Sequence, residues 1–199
     1  MRLAIFGGTF DPLHNAHLGL ARAALTHFRV DRVLFVPAAH PPHKGGVTEA
    51  AFDDRVRMAE LACADEPRFA VSRLEQGTRR SYSIDTIEKV RASLAPGDDL
   101  FFLIGADAFA EIQTWHRWQD VARQVVFLVV SRPGYSCALP EGVRAERLDS
   151  PQLDVSSSAI RQLLQAGQRP AEVPPRVLDY IAQHGLYQVR RPCDRLSST

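Results

Sequence analysis

Four apolar runs set the strongest limit on what this chain can fold into: Leu3–Phe6, Val33–Val36, "LFFLIG" at 100–105 and "VVFLVV" at 125–130. Each has the length of a strand. None alternates apolar with polar residues, so each needs cover on both faces. Helical spacing fills the intervals. From about His14 to Phe28, the residues Leu18, Ala21, Leu25 and Phe28 recur one turn apart. Phe52–Ala64 reads as a helix, with Asp53 and Asp54 suited to its N-terminal dipole. Ser83–Leu94 places Ile84, Ile87 and Leu94 on one side, and Phe69–Leu74 reads as a further strand. Doubly buried strands alternating with helices predict an α/β fold. The expected form is a Rossmann-like, doubly wound, mainly parallel sheet with helices on both faces.

Past residue 131 the pattern loosens. "SRPGYS" makes a turn, 136–147 is irregular, and "ERLDS" reads as a last strand. Two helices close the chain. Ser156–Ala166 ends at Gly167, and Pro175–His184 has proline at its start and Gly185 just past its end. The 199 residues suit one domain. It is expected over 1–189, with a small helical C-terminal part at about 150–189 and a flexible tail at 190–199.

Composition matters for what it removes. With 45% hydrophobic and 24% charged residues, the chain suits a soluble globular protein. A formal net charge of +1 makes no field that would gather nucleic acid or a membrane surface, so neither is expected as a partner. No apolar run approaches the roughly 20 residues of a membrane span. The N-terminus lacks the apolar core of a signal peptide. Cys63, Cys137 and Cys193 are odd in number and far apart, which fits reduced thiols rather than a disulfide framework or a zinc site. A cytoplasmic protein is expected.

The chemistry gathers where the first strand ends, in "GGTFDPLHNAH" at 7–17. In an open parallel sheet, ligands bind beyond the C-terminal strand ends, near the first βα turn. Gly7 and Gly8 let a phosphate or sugar approach the backbone with no Cβ in the way. The following helix starts near Pro12–His14 and directs its positive end at the same spot. The usual dinucleotide and P-loop glycine fingerprints are absent. In their place stand His14 and His17, one turn apart on one face. Each can donate to a phosphate oxygen, or carry charge if a nearby anion raises its pKa. A single histidine of this kind is usually a core or surface residue; a pair on an anion site is not. A metal pair is the less favoured alternative, because no adjacent carboxylate stands at ligand spacing.

"GGTFDPLHNAH" resembles the G-x-F-D-P-x-H-x-G-H signature of the nucleotidylyltransferase superfamily. Within it, the chain is similar over nearly its whole length to bacterial nicotinate mononucleotide adenylyltransferases. The supporting segments are "VPAAHPPHK", "SYSIDT", "IGADAFAEIQTWHRW", "SRPGY", "VSSSAIR" and "VLDYIAQHGLY". Two positions depart from the pattern. Ala16 stands where the motif has glycine, adding a methyl near the nucleotide. Ser83 stands where threonine is usual and keeps the hydroxyl.

The resemblance implies that ATP and nicotinate mononucleotide are joined into nicotinate adenine dinucleotide, with release of pyrophosphate and no covalent intermediate. It implies Mg²⁺ with ATP, held mainly by phosphates and water. No metal-binding residues are assigned. His14 and His17 are the implied catalytic pair. Gly7, Gly8, Thr9 and Phe10 would meet ATP through their backbone; Lys44 would reach a phosphate, Ser156, Ser157, Ser158 and Arg161 would grip the β- and γ-phosphates, and Arg132 would bind ATP from another strand end. Lys44 has the alternative reading of a solvated loop lysine, and the serines that of a helix cap. Tyr82, Ser83, Thr86, Gly105, Asp107 and Trp115 would hold the mononucleotide. Trp115 would stack on the pyridine ring, and Asp107 would accept from ribose hydroxyls or else cap a helix. Trp118 is assigned to packing. Alternatives are an enzyme preferring nicotinamide mononucleotide, or another superfamily member such as the pantetheine-phosphate enzyme. A non-catalytic nucleotide sensor would not need His14, His17 and Arg161 together. The expected assembly is a monomer or small homo-oligomer.

Overall fold

The strands sort their side chains by parity, which is how one apolar run serves two cores. In a computed structural model, residues 1–41, 48–78, 80–131, 139–149 and 155–188 are described. Lys44, Arg132 and the tail at 190–199 lie outside them. The elements are β1 (Arg2–Gly8), α1 (Asn15–Thr26), β2 (Arg32–Pro37), α2 (Phe52–Cys63), β3 (Phe69–Val71), α3 (Ser83–Ser93), β4 (Asp99–Gly105), α4 (Ala106–Ala110), α5 (Trp118–Gln124), β5 (Val126–Ser131), β6 (Ala145–Asp149), α6 (Ser157–Gln165) and α7 (Pro175–Gln183).

The strands form a six-stranded sheet in the order β3-β2-β1-β4-β5-β6, parallel at each pairing. This is the expected doubly wound α/β fold. Ala4, Phe6, Val33, Phe35, Phe101, Leu103, Leu128 and Val130 face α1 and α2. Their chain neighbours Leu3, Ile5, Phe102, Ile104, Phe127 and Val129 face α3, α4 and α5. Each fully buried side chain of this size contributes roughly 1.5–3 kcal/mol. A third core joins the C-terminal helices to α2 through Ala50, Met58, Ile160, Val177 and Ile181. Among the described residues, no helix is long and apolar enough to cross a membrane.

Some boundaries differ from the sequence reading. β3 stops at Val71 because the Ser72 hydroxyl accepts the Leu74 N–H at 3.2 Å and turns the chain. The segment expected to be irregular to 147 enters the sheet at Ala145, which pairs with Phe127 on β5. The stretch after β4 is three short pieces, α4, a 3₁₀ turn at Ile112–Thr114 and α5. Arg117, at φ 53°, separates the 3₁₀ turn Ile112–Thr114 from α5. Trp115 and Trp118 therefore do not share a helix face. Trp115 packs on the second core, and Trp118 begins α5 half-buried.

The order places the topological switch between β1 and β4. Connections from these neighbours leave in opposite directions and open a crevice beyond their C-terminal ends. The 7–17 motif follows β1 and Gly105–Asp107 follows β4 at that edge.

Candidate active site

Gly8 has a steric reason to be glycine that lies inside the protein. A Cβ there would sit 2.8 Å from Cε1 and 2.9 Å from Cζ of Phe10. Phe10 adopts φ 49° and turns its ring inward, against Phe6 and Phe35. The ring is buried, so the backbone is the part of Phe10 left for a ligand. Gly8 also ties the first two strand ends together, its carbonyl accepting the Ala38 N–H at 2.8 Å.

His14 is the N-cap of α1 and His17 its third residue. The His17 ring folds back, and its Nδ1 accepts the His14 backbone N–H at 3.3 Å. The two rings stack with centroids 3.7 Å apart. His17 is half-buried, while His14 is 3% exposed. Burial pushes the His14 pKa down to about 4, so at neutral pH it is an uncharged imidazole. Its Nδ1 finds no partner among the described residues. The His14 side chain faces the His17 backbone N–H in a capping-box arrangement at the start of α1. Ala16, between the histidines, is buried in the first turn of α1.

The loop carrying this pair is held by buried charges. Asp11 accepts the Glu49 N–H at 2.8 Å, the Ala50 N–H at 3.2 Å and the Tyr187 hydroxyl at 2.7 Å. Burial, then the Asp11 charge, raises the Tyr187 pKa, so the phenol keeps its proton and donates. Arg55, 1% exposed, donates to the carbonyls of Ala50, Thr9 and Ala38 at 3.3, 2.7 and 2.7 Å. Burial lowers the Arg55 pKa and nearby Asp11 opposes that, yet arginine remains a cation. On the far side of the Ala38–Ala39 peptide, the Ala39 N–H donates to Glu75 at 3.3 Å. One peptide group is thus gripped at its oxygen by a buried cation and at its nitrogen by a buried carboxylate.

α6 abuts the same loop. Ser156 caps it, its hydroxyl accepting the Ala159 N–H at 3.2 Å, and the Ser157 hydroxyl donates to the Pro12 carbonyl at 3.2 Å. Arg161 donates to the Asp11 carbonyl at 2.8 Å, to Glu49 at 2.6 Å and, at 3.5 Å, to the Ser158 hydroxyl. Two helix N-termini, of α1 and α6, therefore meet across Asp11–Pro12. Their dipoles, the histidine pair and Arg161 make the edge receptive to a polyphosphate.

The residues expected on the mononucleotide side stand on other segments. Ser83 begins α3 after Tyr82, and the Tyr82 ring lies 4.4 Å from that of His116. The Thr86 hydroxyl is buried and donates to Glu75 at 2.8 Å, so it braces the wall rather than standing open. Gly105 caps α4; Asp107 is exposed in its first turn and makes no cap bond. Trp115 leans edge-on against Phe102 at 5.6 Å.

Among the described residues, Ser157 and Arg161 meet the loop that carries the histidines, while Tyr82, Ser83, Gly105 and Asp107 stand at the starts of α3 and α4. Sequence reasoning missed Glu49, Arg55, Glu75 and Tyr187. Arg55 left one signal, a charge on the apolar stripe of α2 between Phe52 and Ala59. Among the described residues, no cluster of histidine, cysteine or carboxylate groups could hold a metal ion, and Asp11 is occupied by three donors. These residues offer no protein cage for a metal.

The chain matches the cytidylyltransferase-like family model over residues 5–163. It is 67% identical to a protein of Solibacter usitatus named "Probable nicotinate-nucleotide adenylyltransferase", over 94% of this chain and 100% of that one. A Thermus thermophilus protein of the same name is 42% identical over the same shares. Among solved structures, the nicotinic acid mononucleotide adenylyltransferase of Plasmodium falciparum complexed with NaAD superimposes with a TM-score of 0.76 at 19% identity, covering 93% of this chain and 96% of that one. At that identity the likeness is one of fold.

Proposed function

The chain belongs to the cytidylyltransferase-like family and, within it, to the nicotinate-nucleotide adenylyltransferases, and from that premise we propose that it transfers the adenylyl group of ATP to nicotinate mononucleotide in NAD biosynthesis. The phosphate of the mononucleotide attacks the α-phosphorus of ATP in line. The bond to the β,γ-pyrophosphate breaks, and nicotinate adenine dinucleotide and pyrophosphate leave. A phosphate monoester has a second pKa of about 6, so it attacks as a dianion and needs no general base. The protein's work is alignment and charge stabilisation.

The observation that carries this reading is the meeting of the α1 and α6 N-termini at the switch point, with His14, His17 and Arg161 on them. His14 and His17 act as donors to the phosphates. Gly7, Gly8, Thr9 and Phe10 present backbone to ATP, and Ser156, Ser157, Ser158 and Arg161 receive the β- and γ-phosphates. From the sequence, Lys44 is assigned to a phosphate of ATP and Arg132 to ATP binding. Tyr82, Ser83, Gly105, Asp107 and Trp115 hold the mononucleotide, with Thr86 bracing them. Mg²⁺ would be held by the phosphates of ATP and water, where it would offset their charge, and no residue is assigned to it. One domain over 1–189, a cytoplasmic location and a monomer or small homo-oligomer belong to the same proposal. Cell fractionation and light scattering test the last two.

Pyrophosphate release from ATP with the acid or the amide mononucleotide tests the activity. The acid is expected to be the better substrate; no release with either overturns the reading. His17→Ala is expected to lower kcat roughly 10²–10³-fold, the usual loss for a donor aimed at developing charge. An unchanged rate would remove His17 from its role.

A further inference from the structure

Arg161 is already paired. Its Nε donates to Glu49 Oε1 at 2.6 Å, and the other carboxylate oxygen accepts from Gln165 Nε2 at 3.2 Å. Arg161 and Gln165 lie one turn apart on α6, so Glu49 lies along that face as a bidentate anion would. The two sides of this contact are unequally held. Arg161 is anchored a second time, on the Asp11 carbonyl, and its side chain is 18% exposed. The Glu49 side chain is 43% exposed, and its further anchor among the described residues is its backbone N–H, on the Asp11 carboxylate at 2.8 Å. The carboxylate can swing into solvent without moving the backbone, whereas the guanidinium stays beside the α6 N-terminus. Among the described residues, Nη2 of Arg161 donates to Ser158 alone, at 3.5 Å, so the fork has capacity for an oxyanion.

We infer that Glu49 is an internal counter-anion that competes with the polyphosphate of the nucleotide for Arg161, loosening ATP on entry and reclaiming the guanidinium as pyrophosphate departs. This rests on the reading that Arg161 grips the β- and γ-phosphates. Before binding, the carboxylate neutralises a cation that would otherwise hold any passing anion. During turnover it limits how tightly the product is kept. A partly exposed ion pair of this kind accounts for roughly a two- to fivefold change in affinity.

The test uses Glu49→Gln, which keeps the shape and removes the charge; its one amide oxygen stands in for two acceptors, so of the bonds from Arg161 and Gln165 it keeps one in place. Inorganic pyrophosphate is titrated calorimetrically into the wild-type chain and the variant, and KM values are measured for both substrates. Glu49→Gln is expected to bind pyrophosphate roughly two- to fivefold tighter and to lower the ATP KM similarly, with the mononucleotide KM unmoved. AMP, which lacks the outer phosphates, is expected to bind both proteins alike. In an Arg161→Gln background the Glu49→Gln gain is expected to vanish. Weaker or unchanged pyrophosphate binding by Glu49→Gln, or a gain that survives without Arg161, overturns the inference. A wild-type chain that turns over no substrate, yet binds pyrophosphate more weakly than Glu49→Gln, would refute the activity and leave the counter-anion standing.

Discussion

Arg55→Met keeps most of the length of a side chain that is 1% exposed and deletes its guanidinium. The carbonyls of Thr9 and Ala38 then lose a donor at 2.7 Å each, and that of Ala50 loses one at 3.3 Å while keeping the Thr48 hydroxyl at 3.0 Å. Hydrogen bonds to a charged group contribute about 1.5–3 kcal/mol each, and the two short ones carry most of the effect. The buried carboxylates of Asp11 and Glu75 also lose the cation between them. Breaking a buried charge arrangement from one side typically costs about 3–5 kcal/mol, and that is the loss expected here. Against a total stability of about 5–15 kcal/mol, the variant folds but is marginal. Urea unfolding followed by circular dichroism is expected to show a midpoint lowered by roughly 1–2 M with little change in slope. Arg55→Lys retains the charge without the fork and is expected to recover part of the loss. Thr9 and Ala38 lie at the ends of neighbouring strands, so kcat/KM is expected to fall for both substrates in Arg55→Met at temperatures where it is folded. A loss of stability below about 1 kcal/mol would refute the view that this cation holds the loops.

Other expectations come from the same edge. The folded His14 pKa of about 4 lies below the ordinary 6.5, so between these values the unfolded chain takes up a proton that the folded chain refuses. The stability linked to His14, ~3 kcal/mol, is therefore full above pH 6.5 and lost as pH falls toward 4. Urea midpoints over that range should fall less in His14→Gln; parallel curves would contradict the assignment. Tyr187→Phe removes the hydroxyl that donates to Asp11 at 2.7 Å and is expected to cost about 1.5–3 kcal/mol in unfolding experiments, with loss near zero as the contrary result. Gly8→Ala puts a methyl 2.8 Å from the buried Phe10 ring and is expected to cost about 1–3 kcal/mol. That cost should shrink in a Phe10→Leu background, and an equal cost in both would place the clash elsewhere.

The legible part of this protein is its local chemistry. Uninterrupted apolar strands between amphipathic helices imply a parallel, doubly covered sheet, because a strand polar on neither face has nowhere else to go. The histidine pair was visible because i and i+3 share a helix face. The N-cap of α6 was visible because serine before an apolar helix caps it. The glycines were legible as a place where side chains are unwelcome, but the atoms behind Gly8 were not: the crowding ring belongs to Phe10. The charge of His14 was open in the sequence, and burial settles it as neutral in the unliganded protein.

The order β3-β2-β1-β4-β5-β6, which sets β1 beside β4 and opens the crevice between them, was decided in three dimensions. So was the brace around the motif. Asp11 meets Tyr187 across 176 residues of chain, and Arg161 meets the Asp11 carbonyl across 150. Helical and strand periods report only the few residues around each position, so they reveal which face is buried and not what it is buried against. A buried charge is tolerated where distant donors and acceptors converge on it, and that convergence exists only once the chain has closed.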